Sequence, residues 1–250
     1  MTTLALAPEL DALPAIGLDE LNATASLLTR ADRKYILPAE ELNGILTALP
    51  IGSRALEVHG ERTPAYDTVY LDTADLDAYF ATARRRPRRW KVRQRTYVAS
   101  AVHFLEVKTK TGPLTVKRRL PWPDVSGVQG SGGSFVAACL SESGVAVDPG
   151  RLVPQLRTTY RRATIALPGP PVRMTIDVDL AWGIPGQPEE PAWPGTVIIE
   201  TKTPGQPCLI DRALWRAGHR PVSLSKYACG LAALRPELPS NRWHRLLAAA

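Results

Sequence analysis

Two segments far apart in the chain, FLEVKTK (104–110) and VIIETKT (197–203), each place a glutamate and a lysine two residues apart inside an apolar, β-branched run. Strand side chains alternate with a period of two. Glu106 and Lys108, and likewise Glu200 and Lys202, must therefore share one face, while Leu105 and Val107, or Val197 and Ile199, take the other. A strand written this way needs an apolar cover on one side and water or a ligand on the other.

The pattern recurs. Arg30, Asp32 and Lys34 fall in phase in TRADRKYIL, and Lys91, Arg93, Arg95 and Tyr97 in WKVRQRTYV. Lys117 and Arg119, Tyr160 and Arg162, and then Arg173, Thr175, Asp177 and Asp179 do the same in three further runs. An ordinary sandwich exposes a mixture of charges, but here arginine and lysine return to the same strand positions. Amphipathic stretches over 38–49, Ser134–Ser143, Ile210–Ala217 and Lys226–Leu234 offer the cover for the apolar faces. The pattern predicts an α+β fold, a closed antiparallel β-barrel of about seven or eight strands with a charged lumen and helices packed outside. Such a lumen suits a polyanion.

A chain of 250 residues fits one large β-domain, and its 44% hydrophobic content supports a sizeable core. We read residues 1–27 as a weakly ordered arm with a short helix over Asp19–Leu28, 28–235 as the domain, and 236–250 as a tail. No apolar run reaches the roughly 18 residues of a membrane helix, and the acidic N-terminus lacks the basic start of a signal peptide. These features predict a soluble, cytoplasmic protein. Cys139, Cys208 and Cys229 have neither disulfide nor zinc spacing and read as small hydrophobes. His59, His103, His219 and His244 form no metal pattern. VSGVQGSGGS (125–134) reads as a flexible connection and not a phosphate-cradling loop, because no Gly-Lys-Ser/Thr ends it. The net charge of +7 points to an anionic partner. Nucleic acid is the weaker candidate, since aromatic residues interleaved with the cations are scarce.

RADRKY, KVRQRTY, FLEVKTK, VKRRL, YRRA, RMTIDVD, VIIETKT and SLSKY, in that order, resemble the VTC (vacuolar transporter chaperone) polyphosphate polymerase domain. That family is a branch of the triphosphate tunnel metalloenzymes related to the CYTH proteins. The resemblance implies an eight-stranded tunnel barrel that transfers the γ-phosphate of ATP onto polyphosphate with manganese or magnesium. By motif, Lys34, Arg93, Arg95, Lys108, Lys117, Arg162 and Arg173 would be phosphate ligands with Tyr160 beside them, Lys226 a phosphate-contacting lysine, and Glu200 the metal carboxylate. Where the CYTH enzymes open with Glu-x-Glu-x-Lys, this chain has Arg30-x-Asp32-x-Lys34, and fewer carboxylates fit the VTC branch better. Nothing in the chain resembles the phosphate-sensing SPX domain or the membrane helices that accompany this domain elsewhere, so export of product is not expected.

The chemistry is consistent with these roles. Arginine forks grip phosphate in pairs of bonds, lysine supplies point charges, and a hard divalent ion needs only one or two carboxylates beside phosphate oxygens. Arg30, Lys91 and Lys202 lie in phase to bind further phosphate, and Glu106 and Asp177 or Asp179 are candidates for a second metal ligand. Each has a plainer alternative. The aspartates neutralise neighbouring arginines, Tyr160 is a packing residue, and RRRPRRW (84–90) is either a product-guiding funnel or a solvated loop. Three functions stay open: polyphosphate synthesis from ATP, hydrolysis of triphosphate or short chains, and non-catalytic binding of a polyanion.

Overall fold

A computed structural model describes residues 8–24, 31–112, 114–123, 128–188 and 190–248. In chain order the strands are β1 (Ala15–Ile16), β2 (Ala31–Pro38), β3 (Arg54–Leu56), β4 (Ala65–Asp72), β5 (Arg88–Tyr97), β6 (Val102–Thr111), β7 (Leu114–Pro121), β8 (Val153–Leu167), β9 (Val172–Gly183), β10 (Glu190–Pro191) and β11 (Thr196–Thr203). The helices are α1 (Pro8–Asp11), α2 (Leu18–Thr24), α3 (Leu42–Thr47), α4 (Asp77–Ala83), α5 (Ser131–Ser141), α6 (Leu209–Arg216), α7 (Lys226–Leu234) and α8 (His244–Leu247). Hydrogen bonds order the eight long strands β2-β11-β9-β8-β4-β5-β6-β7. The pairings of β11 with β2 and β9, and those from β4 through β7, are antiparallel. The chain thus adopts the α+β, eight-stranded antiparallel fold its alternation predicts.

It forms two compact units. The first comprises Met1–Ala65, Tyr160–Leu180 and Trp193–Leu224. Here the apolar phase of β2, β9 and β11 (Tyr35, Leu37, Met174, Ile176, Val197, Ile199) is buried against Leu42, Ile45 and Leu46 of α3 and Ile210 and Leu214 of α6. Each such side chain contributes roughly 1.5–3 kcal/mol. A carboxylate is fully buried beside them. The carboxylate of Asp211 accepts from the Cys208 backbone N–H (2.8 Å) and from the hydroxyls of Tyr35 (2.7 Å) and Thr201 (2.6 Å), tying α6 to the sheet. Burial and this carboxylate hold the Tyr35 phenol well above its ordinary range.

The described part of the arm is packed, not weakly ordered. Leu10, Ile16 and Leu21 are buried, and β1 pairs in parallel with β3 through Ala15 and Ala55. Both strands are too short to produce a readable period. The helix expected over Asp19–Leu28 is described as α2 over Leu18–Thr24; residues 25–30 lie outside the described residues.

The second unit comprises Tyr66–Thr159, Ala181–Ala192 and Ser225–Ala250. Trp90, Val92, Gln94, Leu105 and Val107 are buried on the phase opposite the cations. Helix α5 begins at Ser131, inside the Gly/Ser stretch that reads as a flexible connection. The reason is steric: a Cβ at Gly132 would overlap the Trp122 indole and lie 2.7 Å from its Cζ3. Glycine is there for close packing, and composition alone cannot distinguish that from flexibility. Gly132→Ala gains about 1 kcal/mol of helix propensity but meets roughly 1–3 kcal/mol of overpacking. A net loss of about 1 kcal/mol in urea unfolding is expected, and an unchanged midpoint would show that Trp122 yields freely. The C-terminal segment is packed too, with Trp243 buried and the Tyr79 hydroxyl donating to the Pro239 carbonyl at 3.1 Å.

Candidate functional site

In the second unit the register of β5, β6 and β7 stacks the cations in rows. Lys91 stands opposite Lys108, which stands opposite Lys117; one row further on, Arg93 faces Glu106, which faces Arg119. Like charges directly opposed destabilise a sheet. The single acid in these rows serves several cations. Glu106, 1% exposed, has Arg93 Nε at 2.6 Å, Lys117 Nζ at 2.5 Å and Arg95 Nη1 at 3.7 Å. Burial alone would raise its pKa, but the three cations outweigh it and hold the carboxyl far below the usual range. Arg95 is itself buried, donates to Thr68 Oγ1 (3.3 Å) and lies over the Tyr66 ring.

Helix α7 brings in further groups. Its N-cap, Ser225, accepts from the Ala228 N–H and from Lys91 Nζ at 2.7 Å, and Lys226 is its first residue. Tyr227 stacks on Tyr70 (5.2 Å between ring centroids), and the Tyr70 hydroxyl accepts from Arg93 Nη1 at 3.4 Å. Tyr227 donates to the fully buried Asp72 at 2.5 Å, whose oxygens also accept backbone N–H groups of Thr73, Ala78 and Tyr79. Sequence reasoning missed Ser225, Tyr70, Tyr227 and Asp72. Only Ser225 carried a signal, as a serine placed to cap a helix.

Burial and the Arg93 guanidinium push the Lys117 ammonium down to about 7, against the pull of Glu106. Its side chain is 36% exposed overall, but the ammonium lies against Glu106, and that local field governs its proton. Arg93, Arg95 and Glu106 act on it, and Lys108 stands opposite it in register. Triphosphate affinity is therefore expected to fall as pH rises through about 7, where Lys117 loses its proton. In Lys117→Arg, which stays charged, this component disappears. Equal pH slopes in the two proteins would remove the assignment.

In the first unit Glu200 stands in register with Lys34 on β2 and Thr175 on β9, and Lys202 with Asp32 and Arg173. Lys202 Nζ is 3.2 Å from Glu200 Oε2. Burial holds the Lys202 ammonium below the ordinary lysine range, Glu200 and Asp32 opposing the effect and Arg162 adding to it. Asp177 accepts both bonds of the Arg162 fork, at 2.5 and 2.8 Å, and Arg162 lies over the ring of the buried Tyr160. Lys34 Nζ donates to the Leu224 carbonyl (3.3 Å) and Arg173 Nη2 to the Leu21 carbonyl (3.1 Å). Asp179 departs from the expected phase: its φ is 52°, and its carboxylate takes Arg161 (2.6 Å), the residue out of phase with Arg162. A left-handed residue interrupts the period of two. Arg30 lies outside the described residues.

Among the described residues no three of His, Cys, Asp and Glu gather into a metal cage. Glu106 and Asp177 each spend their oxygens on cations. Beside Glu200, however, Thr175 Oγ1 is buried with no hydrogen-bond partner. One carboxylate with a neighbouring hydroxyl fits a hard divalent ion whose remaining ligands are phosphate oxygens and water.

A sequence model of the VTC domain matches residues 29–235. The structure of a candidate adenylyl cyclase from Hippeastrum, described as having a dominant triphosphatase activity, is similar at a TM-score of 0.50 and 17% identity, covering 86% of this chain and 100% of that one. A candidate adenylate cyclase from Bacillus halodurans is similar at a TM-score of 0.46 and 14% identity, covering 79% and 94%. The Hippeastrum likeness is one of fold. No match was found among curated proteins.

Proposed function

The chain belongs to the VTC domain family, and from that premise we propose that it binds ATP and polyphosphate through its cationic strand faces and transfers a phosphoryl group between them, with magnesium or manganese held at Glu200. The observation that carries this reading is the row Lys91–Lys108–Lys117, where two successive cross-strand pairs oppose like charges. A fold accepts that cost where an anion will lie across the row, and each charge-assisted bond to phosphate returns roughly 1.5–3 kcal/mol. Arg93 and Arg162 are each oriented by a carboxylate and an aromatic ring, so that the N–H groups not spent on those carboxylates are preset for phosphate oxygens. In the second unit Lys108 and Lys226 add point charges, with Arg95 contributing to the local field; in the first unit Lys34 adds a point charge and Arg173 contributes to the field. Glu200 would hold the divalent ion, which would supply neutralisation of the charge that develops in phosphoryl transfer. Use of ATP fits an activity in the cytoplasm; among the described residues no helix is long and apolar enough to cross a membrane.

A second reading, hydrolysis of triphosphate by water in place of the acceptor phosphate, is favoured by the activity described for the Hippeastrum protein. Incubating the pure protein with ATP and manganese, and separately with triphosphate, then resolving long chains from free phosphate, tests both. Long chains support transfer, and free phosphate alone selects hydrolysis. No turnover of either compound overturns the enzyme reading.

A further inference from the structure

The row of cations does not stop at Lys91. One row further along β5, Arg89 shares the phase of Lys91, Arg93 and Arg95, and stands opposite Lys110, which stands opposite Thr115. Again no acid lies across the strand. Immediately before β5 the turn out of α4 holds the exposed Arg85 at a φ of 53°, a left-handed conformation that side chains seldom adopt, fixed by its N–H on the Thr82 carbonyl (3.2 Å). The same carbonyl accepts from Arg242 Nη1 at 3.2 Å, so the C-terminal segment delivers a third guanidinium to this turn. Burial and the like charges of Arg85 and Arg89 all weaken the hold of Arg242 on its proton.

We propose that Arg85, Arg89 and Arg242 form a second anion site, continuous with the lysine rows of β5 to β7, that holds the distal part of a long polyphosphate chain. Gathered guanidinium groups repel one another, and a linear polyanion relieves that repulsion at every step while leaving the short-ligand site untouched. Single-stranded nucleic acid fits less well because it needs open aromatic platforms. Phe80 lies under Arg84 (4.7 Å to its centroid), and Trp243, under Arg242, is buried.

The inference rests on the polyphosphate reading above, and its test separates the two. Binding of inorganic triphosphate, long-chain polyphosphate and a single-stranded DNA oligonucleotide of matched charge is measured for the wild type and for Arg85→Asn combined with Arg89→Gln. Asparagine tolerates the left-handed conformation. Arg85→Asn alone serves as a second variant, and melting temperatures confirm that both fold. We expect long-chain affinity to fall about tenfold, with a salt slope shallower by about two, while triphosphate affinity stays within about twofold. Equal losses for both phosphate ligands, or none for either, overturn the second site while leaving the polyphosphate reading intact. DNA binding as tightly as polyphosphate through these arginines overturns it in favour of nucleic acid. A wild type that binds neither phosphate compound removes both readings.

Discussion

Glu106→Gln is expected to lower the stability of the ligand-free protein by about 3 kcal/mol while strengthening its grip on phosphate. Removing one partner of a buried ion pair typically costs 3–5 kcal/mol, because the other charge is left uncompensated. Here three cations lose their common anion, but Arg93 and Lys117 keep some solvent, which sets the figure at the low end. The sign with pH comes from the depressed pKa of Glu106. Its contribution is present above about 4.5, the value without the fold, and is lost as the pH falls below it. The stability gap between wild type and variant should therefore shrink on acidification. Added triphosphate should narrow it as well, since a ligand bound only by the folded state stabilises by RT ln(1 + [L]/Kd), and the variant, with the lower Kd, gains more than the wild type. Chemical unfolding with and without triphosphate measures both. If the variant kept its stability and instead lost manganese affinity, Glu106 would be a metal ligand and not the counter-ion of this cluster.

Glu200→Gln should have the opposite profile. The side chain keeps its size and hydrogen-bonding capacity, loses the anchor for a divalent ion, and leaves Lys202 without its ion-pair partner. Triphosphate affinity is expected to hold or rise, because a negative charge has left the site. Metal-dependent turnover is expected to fall about a hundredfold or more, about 2.7 kcal/mol of transition-state stabilisation. Direct manganese titration of the two proteins gives a readout independent of turnover. Full metal-dependent activity in the variant would overturn the assignment of Glu200.

The charged faces were legible in the sequence because the period of two is local. Arg93 with Arg95, Glu200 with Lys202 and Tyr160 with Arg162 needed only counting, and the apolar phase of β2, β9 and β11 announced the helices that would cover it. The order of motifs identified the family. Asp179 was misplaced for the complementary reason: a single left-handed residue, with no glycine to mark it, breaks the alternation at its own position. The start of α5 was hidden because Gly132 answers to Trp122 rather than to its own neighbours.

The sequence by itself determined which side chains share a face and which faces are charged. Only the tertiary structure decided how those charges are spent: that Glu106 neutralises three cations, that Asp177 closes on Arg162, that Glu200 keeps a buried unpartnered hydroxyl beside it, and that Tyr227 reaches Asp72. Alternation along a strand is dictated by the geometry of consecutive peptide units, whereas pairing across strands depends on register. Register is set by hydrogen bonds and packing between segments that meet only once the chain has folded.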